Sequence, residues 1–292
     1  MKSAAKVRPG VVFPQGSVPA DPDRVREYVL GVQELGYDHL VVPDHVLGVE
    51  PRSHPGWSGP YDVTDQFHEL MVLFGFLAGI STMELVAGVL VLPQRQTALA
   101  AKQAAEVDAL SRGRLRLGVG VGWNAPEFEG LGTVFESRGP RLDEQIVLMR
   151  KLWREPVVNF DGSYHSVHGV GIAPLPAREI PLWIGAEKAA RALRRVGEYG
   201  DGWMALGAPV PETAESLRII REAAERVGRD PDAIGLQAWI NFDDGDTARA
   251  AAEIDGWREF GATHIALSTR SGEPTSIQRH LDLAARGIGL FS

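Results

Sequence analysis

The sequence predicts an α/β protein, a parallel (β/α)8 or TIM barrel built as one domain over residues 1–292. Three observations predict it. Short apolar runs alternate with longer stretches of helical periodicity, eight of each. Right-handed crossovers wind such units in one direction, and eight of them close a barrel. The first strand ends in Phe13-Pro14-Gln15-Gly16, not in the Gly-x-Gly-x-x-Gly turn of an open dinucleotide-binding sheet.

The first strand covers residues 7–13. Asp21 then caps a helix with Pro22 in its first turn, and Gly36 stops it after residue 35. The second strand is 39–42. A loop rich in Pro, Gly, Ser and Trp over 48–62 leads to a buried helix over 66–80. The third strand is 85–92. Thr97 opens a helix that runs to residue 109, and Ser111-Arg112-Gly113 turns the chain into the fourth strand, 115–121. Leu142, Ile146, Met149 and Trp153 recur at helical spacing and place an amphipathic helix over 141–153. The remaining strands are 181–184, 202–206, 234–242 and 264–268, with helices over 189–199, 212–227, 247–260 and 275–285. One segment breaks the alternation. Between residues 157 and 176, Asp161-Gly162 stands between apolar residues, which signals an inserted β-hairpin.

Composition narrows the function classes. A net charge of −8 repels phosphate backbones, so no nucleic-acid partner is expected. The absence of cysteine excludes disulfides, iron–sulfur clusters and a thiol nucleophile. The start, Met1-Lys2-Ser3-Ala4-Ala5-Lys6, leads into no apolar signal core. The longest apolar run, from Leu70 to Ile80, falls short of the ~20 residues that span a bilayer. A cytoplasmic protein with no membrane partner is the expectation. No histidines stand in a His-Glu-x-x-His or comparable spacing, so no metal is expected.

In such barrels the chemistry gathers at the C-terminal ends of the strands. Asp44 and His45 follow the second strand, the one adjacent acid and imidazole at a strand end. A histidine there can donate to a substrate oxygen or carry a proton near neutral pH. The alternative is a turn-capping Asp44 beside a half-exposed loop histidine. Gly118, Gly120 and Gly122 alternate along the fourth strand, which implies either close approach of something bulky or tight packing in the barrel. Gly185-Ala186-Glu187-Lys188 runs from the fifth strand into a helix, so its amides could hold an anion or simply turn the chain. His39 and His264 open strands, on the face that serves stability.

Together these segments resemble the luciferase-like monooxygenases and their deazaflavin-dependent relatives. The likeness lies in Gly36-Tyr37-Asp38-His39-Leu40-Val41-Val42-Pro43-Asp44-His45, and in Gly88-Val89-Leu90 with Pro93 and the helix after Thr97. It continues through the run Gly113 to Asn124, Glu127-Phe128, Arg138-Gly139, Pro181-Leu182-Trp183-Ile184-Gly185 and Gly200-Asp201-Gly202-Trp203. The ordered set covers most of the first 205 residues. The resemblance implies an oxidoreductase that moves a hydride between coenzyme F420 and a small organic substrate, in a chain that forms a homodimer. FMN is the alternative coenzyme, in a monooxygenase using oxygen. A barrel that binds a coenzyme or ligand without catalysis is the alternative of another class.

The resemblance also implies residue roles. Gly88-Val89 would carry a non-prolyl cis bond in a bulge behind the coenzyme ring. Asp44 and His45 would meet the ring's polar edge or the substrate. Gly122, Trp123 and Asn124 would lie beside the coenzyme, and Gly185, Ala186, Glu187, Lys188 and Ala189 would hold its phosphate. The deazaflavin-dependent sugar-phosphate dehydrogenases carry a glutamate acid where this chain has Trp123. That departure argues against a sugar phosphate. The nearest substitute, Glu127, either replaces the acid or faces solvent from a helical turn. Trp57, Phe67 and Trp123 near the mouth favour a less polar substrate.

Overall fold

The computed structural model describes residues 7–271 and 274–291; the first six residues, read above for export, lie outside them. In chain order come β1 (Arg8–Val12), α1 (Pro22–Glu34), β2 (His39–Val42), α2 (Leu70–Ala78), β3 (Glu84–Ala87), β4 (Leu90–Val91) and α3 (Thr97–Leu110). Then follow β5 (Leu115–Gly120), α4 (Ala125–Gly130), α5 (Arg138–Arg154), β6 (Val158–Asp161), β7 (Ser166–Val170), β8 (Leu182–Gly185) and α6 (Ala190–Tyr199). The chain ends with β9 (Gly202–Leu206), α7 (Glu212–Arg226), β10 (Gly235–Asn241), α8 (Thr247–Glu259), β11 (His264–Ser268) and α9 (Ile277–Ile288).

The main sheet runs β3-β2-β1-β11-β10-β9-β8-β5-β4, and β3 also pairs with β5. Its strands are parallel throughout. The ring is therefore closed, and β4 is the continuation of β3 past an interruption. The predicted third strand is thus split in two at Gly88-Val89, where the peptide is cis. The hairpin of β6 and β7 is antiparallel, with Asp161 paired to Ser166. Its connection is longer than the two-residue Asp161-Gly162 turn expected. Glu144 on α5 accounts for this: it accepts from the amides of Ser163 (2.6 Å) and Tyr164 (2.8 Å) and holds the loop open.

Two further boundaries differ from expectation. The helix placed at 66–80 begins only at Leu70, because the Glu69 side chain caps it at the Val72 amide, 2.8 Å away. The preceding residues stay extended, with the His68 amide on Gln15 at 3.0 Å. The short helix α4 goes beyond the helical turn offered at Glu127, and Asn124-Ala125-Pro126-Glu127 has the cap, proline and acid of a helix start.

Apolar side chains fill two layers. Val12, Val41, Val86, Trp183, Met204 and Ala266 pack inside the barrel, and a larger cluster lies between the barrel wall and the helices. Where the strands begin, the interior turns polar. Buried Arg116 lies on Trp183, 4.4 Å from the ring centroid, and pairs with Glu84. The imidazoles of His39 and His264 meet edge to face at 5.4 Å beside it.

These buried histidines predict acid sensitivity. Burial, with Arg116 next, pushes His264 down to about 2, and burial takes His280 down to about 4. His39 lies well below its ordinary value for the same first reason. Folded-state values below the unfolded one mean that the unfolded chain binds more protons. Stability is then present above about pH 6.5 and is lost as pH falls through the folded-state values. Each unit of fall costs about 1.4 kcal/mol per such histidine. The melting temperature should drop steadily from pH 7 to pH 5 in a thermal scan; a flat profile there would contradict the neutral assignment.

Candidate active site

Three strand ends converge on the C-terminal rim of the barrel. The first is Pro43-Asp44-His45 after β2. His45 is mostly buried, and its Nδ1 lies 3.1 Å from Glu127 Oε2 on α4. Glu127 is itself buried and accepts three further hydrogen bonds, from the amides of Val46 (2.6 Å) and Leu47 (3.1 Å) and from Gln94 Nε2 (3.1 Å). Burial raises this carboxyl, but the bonds from His45, Val46, Leu47 and Gln94 outweigh it and hold Glu127 below its ordinary value. An ionised carboxylate only accepts, so the proton of the pair sits on Nδ1. In the neutral tautomer with the proton on Nδ1, Nε2 is the acceptor. Glu127 is thus neither a solvent-facing residue nor a free acid standing in for the one missing at Trp123. Its four donors consume it.

Asp44, its neighbour, points elsewhere. Its carboxylate is turned into the protein, 2.6 Å from Arg95 Nη2 and 3.1 Å from the Val91 amide. Burial raises its pKa, and Arg95 and Val91 offset this only in part. Arg95 also reaches Glu69 at 2.8 Å. Asp44 therefore ties the end of β2 to the segment after β4 and leaves the rim to His45. Nothing in its local sequence separates this role from catalysis, because the partner stands 51 residues away.

The second strand end is the bulge at Gly88-Val89. A Cβ on Gly88 would stand 2.2 Å from Val41 Cγ1, so the close approach of β2 admits only glycine. Val89 occupies the space that the alternating glycines leave. A Cβ on Gly120 would meet Val89 Cγ2 at 2.5 Å, and one on Gly185 would meet Val89 Cγ1 at 2.9 Å. Gly118 faces Ala87 and Met204, and Gly122 faces Val91 and Phe128. The glycines of β5 thus accommodate the protein's own neighbouring strand, which is the packing alternative. Gly122 also has φ +74°, a conformation that favours glycine. Trp123 next to it is half exposed, stacks on Trp57 at 5.5 Å and 25°, and lies 5.5 Å from the His45 ring. Asn124 is buried and caps α4 at the Glu127 amide.

The third strand end is the turn from Gly185 to Ala189. No side chain caps α6, so the positive end of its helix dipole meets the turn, a suitable seat for a phosphate. Ala186, Glu187, Lys188 and Ala189 line a cavity of about 420 Å3 that continues past Leu206. The Ala186 carbonyl is fixed by Trp203 Nε1 at 2.8 Å. A phosphorylated coenzyme fits the donors present. Among the described residues, no group of three His, Asp, Glu or Cys side chains could hold a metal ion, and no helix is long and apolar enough to cross a membrane.

Sequence reasoning missed the supports of His45. Gln94, Arg95 and Glu69 are ordinary polar residues whose relevance appears only when the chain closes on itself. Asn124-x-x-Glu127 carried a signal, since it has the form of a capping box. Here the glutamate leaves its own cap and reaches across to residues 45–47.

An F420-dependent glucose-6-phosphate dehydrogenase of Segniliparus rotundus is 30% identical over 281 residues, 92% of this chain and 77% of that protein. The same-named protein of Gordonia bronchialis is matched over 65% of its length, so the chain spans about two thirds of that relative. An F420-dependent hydroxymycolic acid dehydrogenase of Mycobacterium tuberculosis is 31% identical over 88% of this chain and 68% of that one. Among solved structures, an F420-dependent secondary alcohol dehydrogenase in complex with an F420-acetone adduct superposes with a TM-score of 0.79 at 18% identity, covering 98% of this chain and 99% of that one. That likeness speaks for the fold. The sequence also matches the family description "Luciferase-like monooxygenase" over residues 5–283. The chain belongs to the luciferase-like monooxygenase family.

Proposed function

We propose that this protein is an F420-dependent oxidoreductase that moves a hydride between the deazaflavin and an alcohol or carbonyl compound, with His45 carrying the accompanying proton. The observation behind the reading is His45 at the strand rim, with Nδ1 committed to buried Glu127 and Nε2 left for a substrate oxygen. The F420-dependent relatives support the choice of coenzyme. Residues of the bulge at Gly88-Val89 would back the ring, Trp123 would flank it, and the turn from Gly185 to Ala189 would receive the phosphate. When bound, the coenzyme supplies the hydride acceptor or donor.

The protein's own residues do the rest. As an alcohol is oxidised, its hydroxyl proton passes to Nε2 of His45, giving an imidazolium whose charge the Glu127 carboxylate stabilises. In the reverse direction the imidazolium returns that proton to the carbonyl oxygen. Asp44 and Arg95 keep His45's strand end in register with the bulge segment. The aromatic contacts of His45 with Tyr61 (5.1 Å), Phe67 (5.0 Å) and Trp123 (5.5 Å) hold the plane of its ring.

The test is a fluorescence titration of the purified protein with F420 and with FMN in separate experiments. F420 is expected to bind with a dissociation constant in the micromolar range or below, and FMN far more weakly. Tight FMN binding without F420 binding would overturn the reading in favour of a flavin monooxygenase.

A further inference from the structure

We propose that the cavity beside His45 is the substrate site, and that Asp62 and Asp65 at its rim make it accept neutral and cationic apolar molecules while rejecting anionic ones. This inference rests on the preceding reading, in which His45 exchanges the substrate's proton. Its subject is the substrate's charge, which that reading leaves open.

The cavity measures about 620 Å3, within the ~300–1,000 Å3 typical of small-molecule sites. His45 forms part of its wall, together with Asn124 beside the Trp123 face. Much of the remaining wall is apolar, from Pro19, Val46, Leu47 and Phe67. The rings of Tyr61 and Phe67, 4.8 Å apart, both belong to that wall, and the stacked pair of Trp57 and Trp123 adjoins Tyr61. Burial of apolar surface against such a wall favours a substrate with a hydrocarbon or aromatic body.

Charge separates the candidate substrates further. Asp62 accepts from the Thr64 amide at 2.7 Å and from its hydroxyl at 2.6 Å. The hydroxyl bond first, then the amide bond, hold this carboxyl below its ordinary value, so it is ionised at neutral pH. Asp65 accepts from the Asp62 amide at 2.8 Å, which fixes the two carboxylates on one short turn. Among the described residues that line the cavity there is no lysine or arginine. The nearby cation, Arg270, lies over the Tyr61 ring at 4.4 Å and 3.6 Å from Asp65. It offsets one of the two negative charges and leaves the other. A phosphate or carboxylate is ordinarily received by an arginine fork or a lysine. Here an anion would meet a carboxylate at the entrance and find no such partner inside.

The experiment compares three probes with one skeleton, phenylpropanol, phenylpropylamine and phenylpropanoate. Each is titrated by calorimetry into the F420-loaded protein at low ionic strength. The alcohol and the amine are expected to bind about tenfold more tightly than the carboxylate or better, the size of one close charge contact in a wet site. In the double variant Asp62→Asn with Asp65→Asn, whose amides still offer acceptors to Thr64 and the Asp62 amide, that gap should close to about threefold or less. Equal or tighter binding of the carboxylate, a gap that survives in the double variant, or no binding of any probe would each overturn the inference. Failure of the protein to take up F420 at the loading step would instead count against the coenzyme reading. The same titrations on the unloaded protein would then still measure the charge preference.

Discussion

Glu127→Gln is expected to slow hydride transfer by about 10²-fold or more while leaving F420 affinity nearly unchanged, since general acid–base contributions are commonly 10²–10⁴-fold. Glu127 accepts four hydrogen bonds, from His45, Val46, Leu47 and Gln94. A glutamine of the same shape offers one acceptor oxygen and one donor nitrogen. If its oxygen stays with the amides of Val46 and Leu47, its NH2 group faces His45 Nδ1. The imidazole must then accept at Nδ1 and carry its proton on Nε2, which is the wrong tautomer for receiving a substrate proton. The stabilising charge behind the imidazolium is lost as well. His45→Ala should reduce the rate by a similar factor, and the double variant should be little worse than either single one, because the two residues act as a unit. Single-turnover measurements following the coenzyme absorbance, on an alcohol the protein turns over, check this. Glu127→Gln within threefold of the parent, beside a strongly impaired His45→Ala, would remove the dyad from the mechanism. Nitrogen NMR of the His45 ring in the unloaded protein gives a second reading, and the proton should move from Nδ1 to Nε2 in the glutamine variant.

What the sequence disclosed depended on the range of the interaction. Strand and helix order follows from periodicity within a few residues, so the barrel and most of its elements were legible. The split of β3 from β4 was legible only through the family likeness, because an apolar run such as Gly88-Val89-Leu90 carries no local mark of a bulge. The glycines of β5 showed that something approaches closely. They could not show that it is Ala87, Val89 and Met204 of the protein itself rather than a ligand. His45 stood out because an acid and an imidazole met at a strand end. The identity of its partner did not, since Glu127 lies 82 residues on and its neighbour Asp44 was the more obvious choice. Asp44 instead answers Arg95. In each case the missing information was a long-range pairing that only the closed barrel brings about.

The largest effect on stability is expected at Arg116, on the opposite end of the barrel from His45. Arg116→Met should destabilise the protein by about 3–5 kcal/mol, the range for removing one partner of a buried ion pair. Arg116 is 1% exposed, and its Nε and Nη2 each lie 3.1 Å from a different Glu84 oxygen, a two-pronged contact. Gln237 accepts from the remaining prong, and the guanidinium lies on the Trp183 face. Methionine fills most of the volume but leaves Glu84 with Arg8 alone, at 3.2 Å on the more exposed side. The exposed Arg218, by contrast, pairs with Glu215 and Glu222 on the surface of α7, where solvent screens the pairs and removal should change stability little. Urea unfolding of the two variants separates these cases. A change under 1 kcal/mol at Arg116 would mean that the cost of burying its charge cancels what its partners return. The pH profile offers a further discriminator. Burial and then Arg116 are the leading causes that keep His264 unprotonated, and Arg116 also opposes protonation of His39. Removing that cation should let both histidines accept protons at higher pH in the folded state. The fall in stability on acidification should then level off at a higher pH in Arg116→Met than in the parent, even though the variant starts from a lower stability.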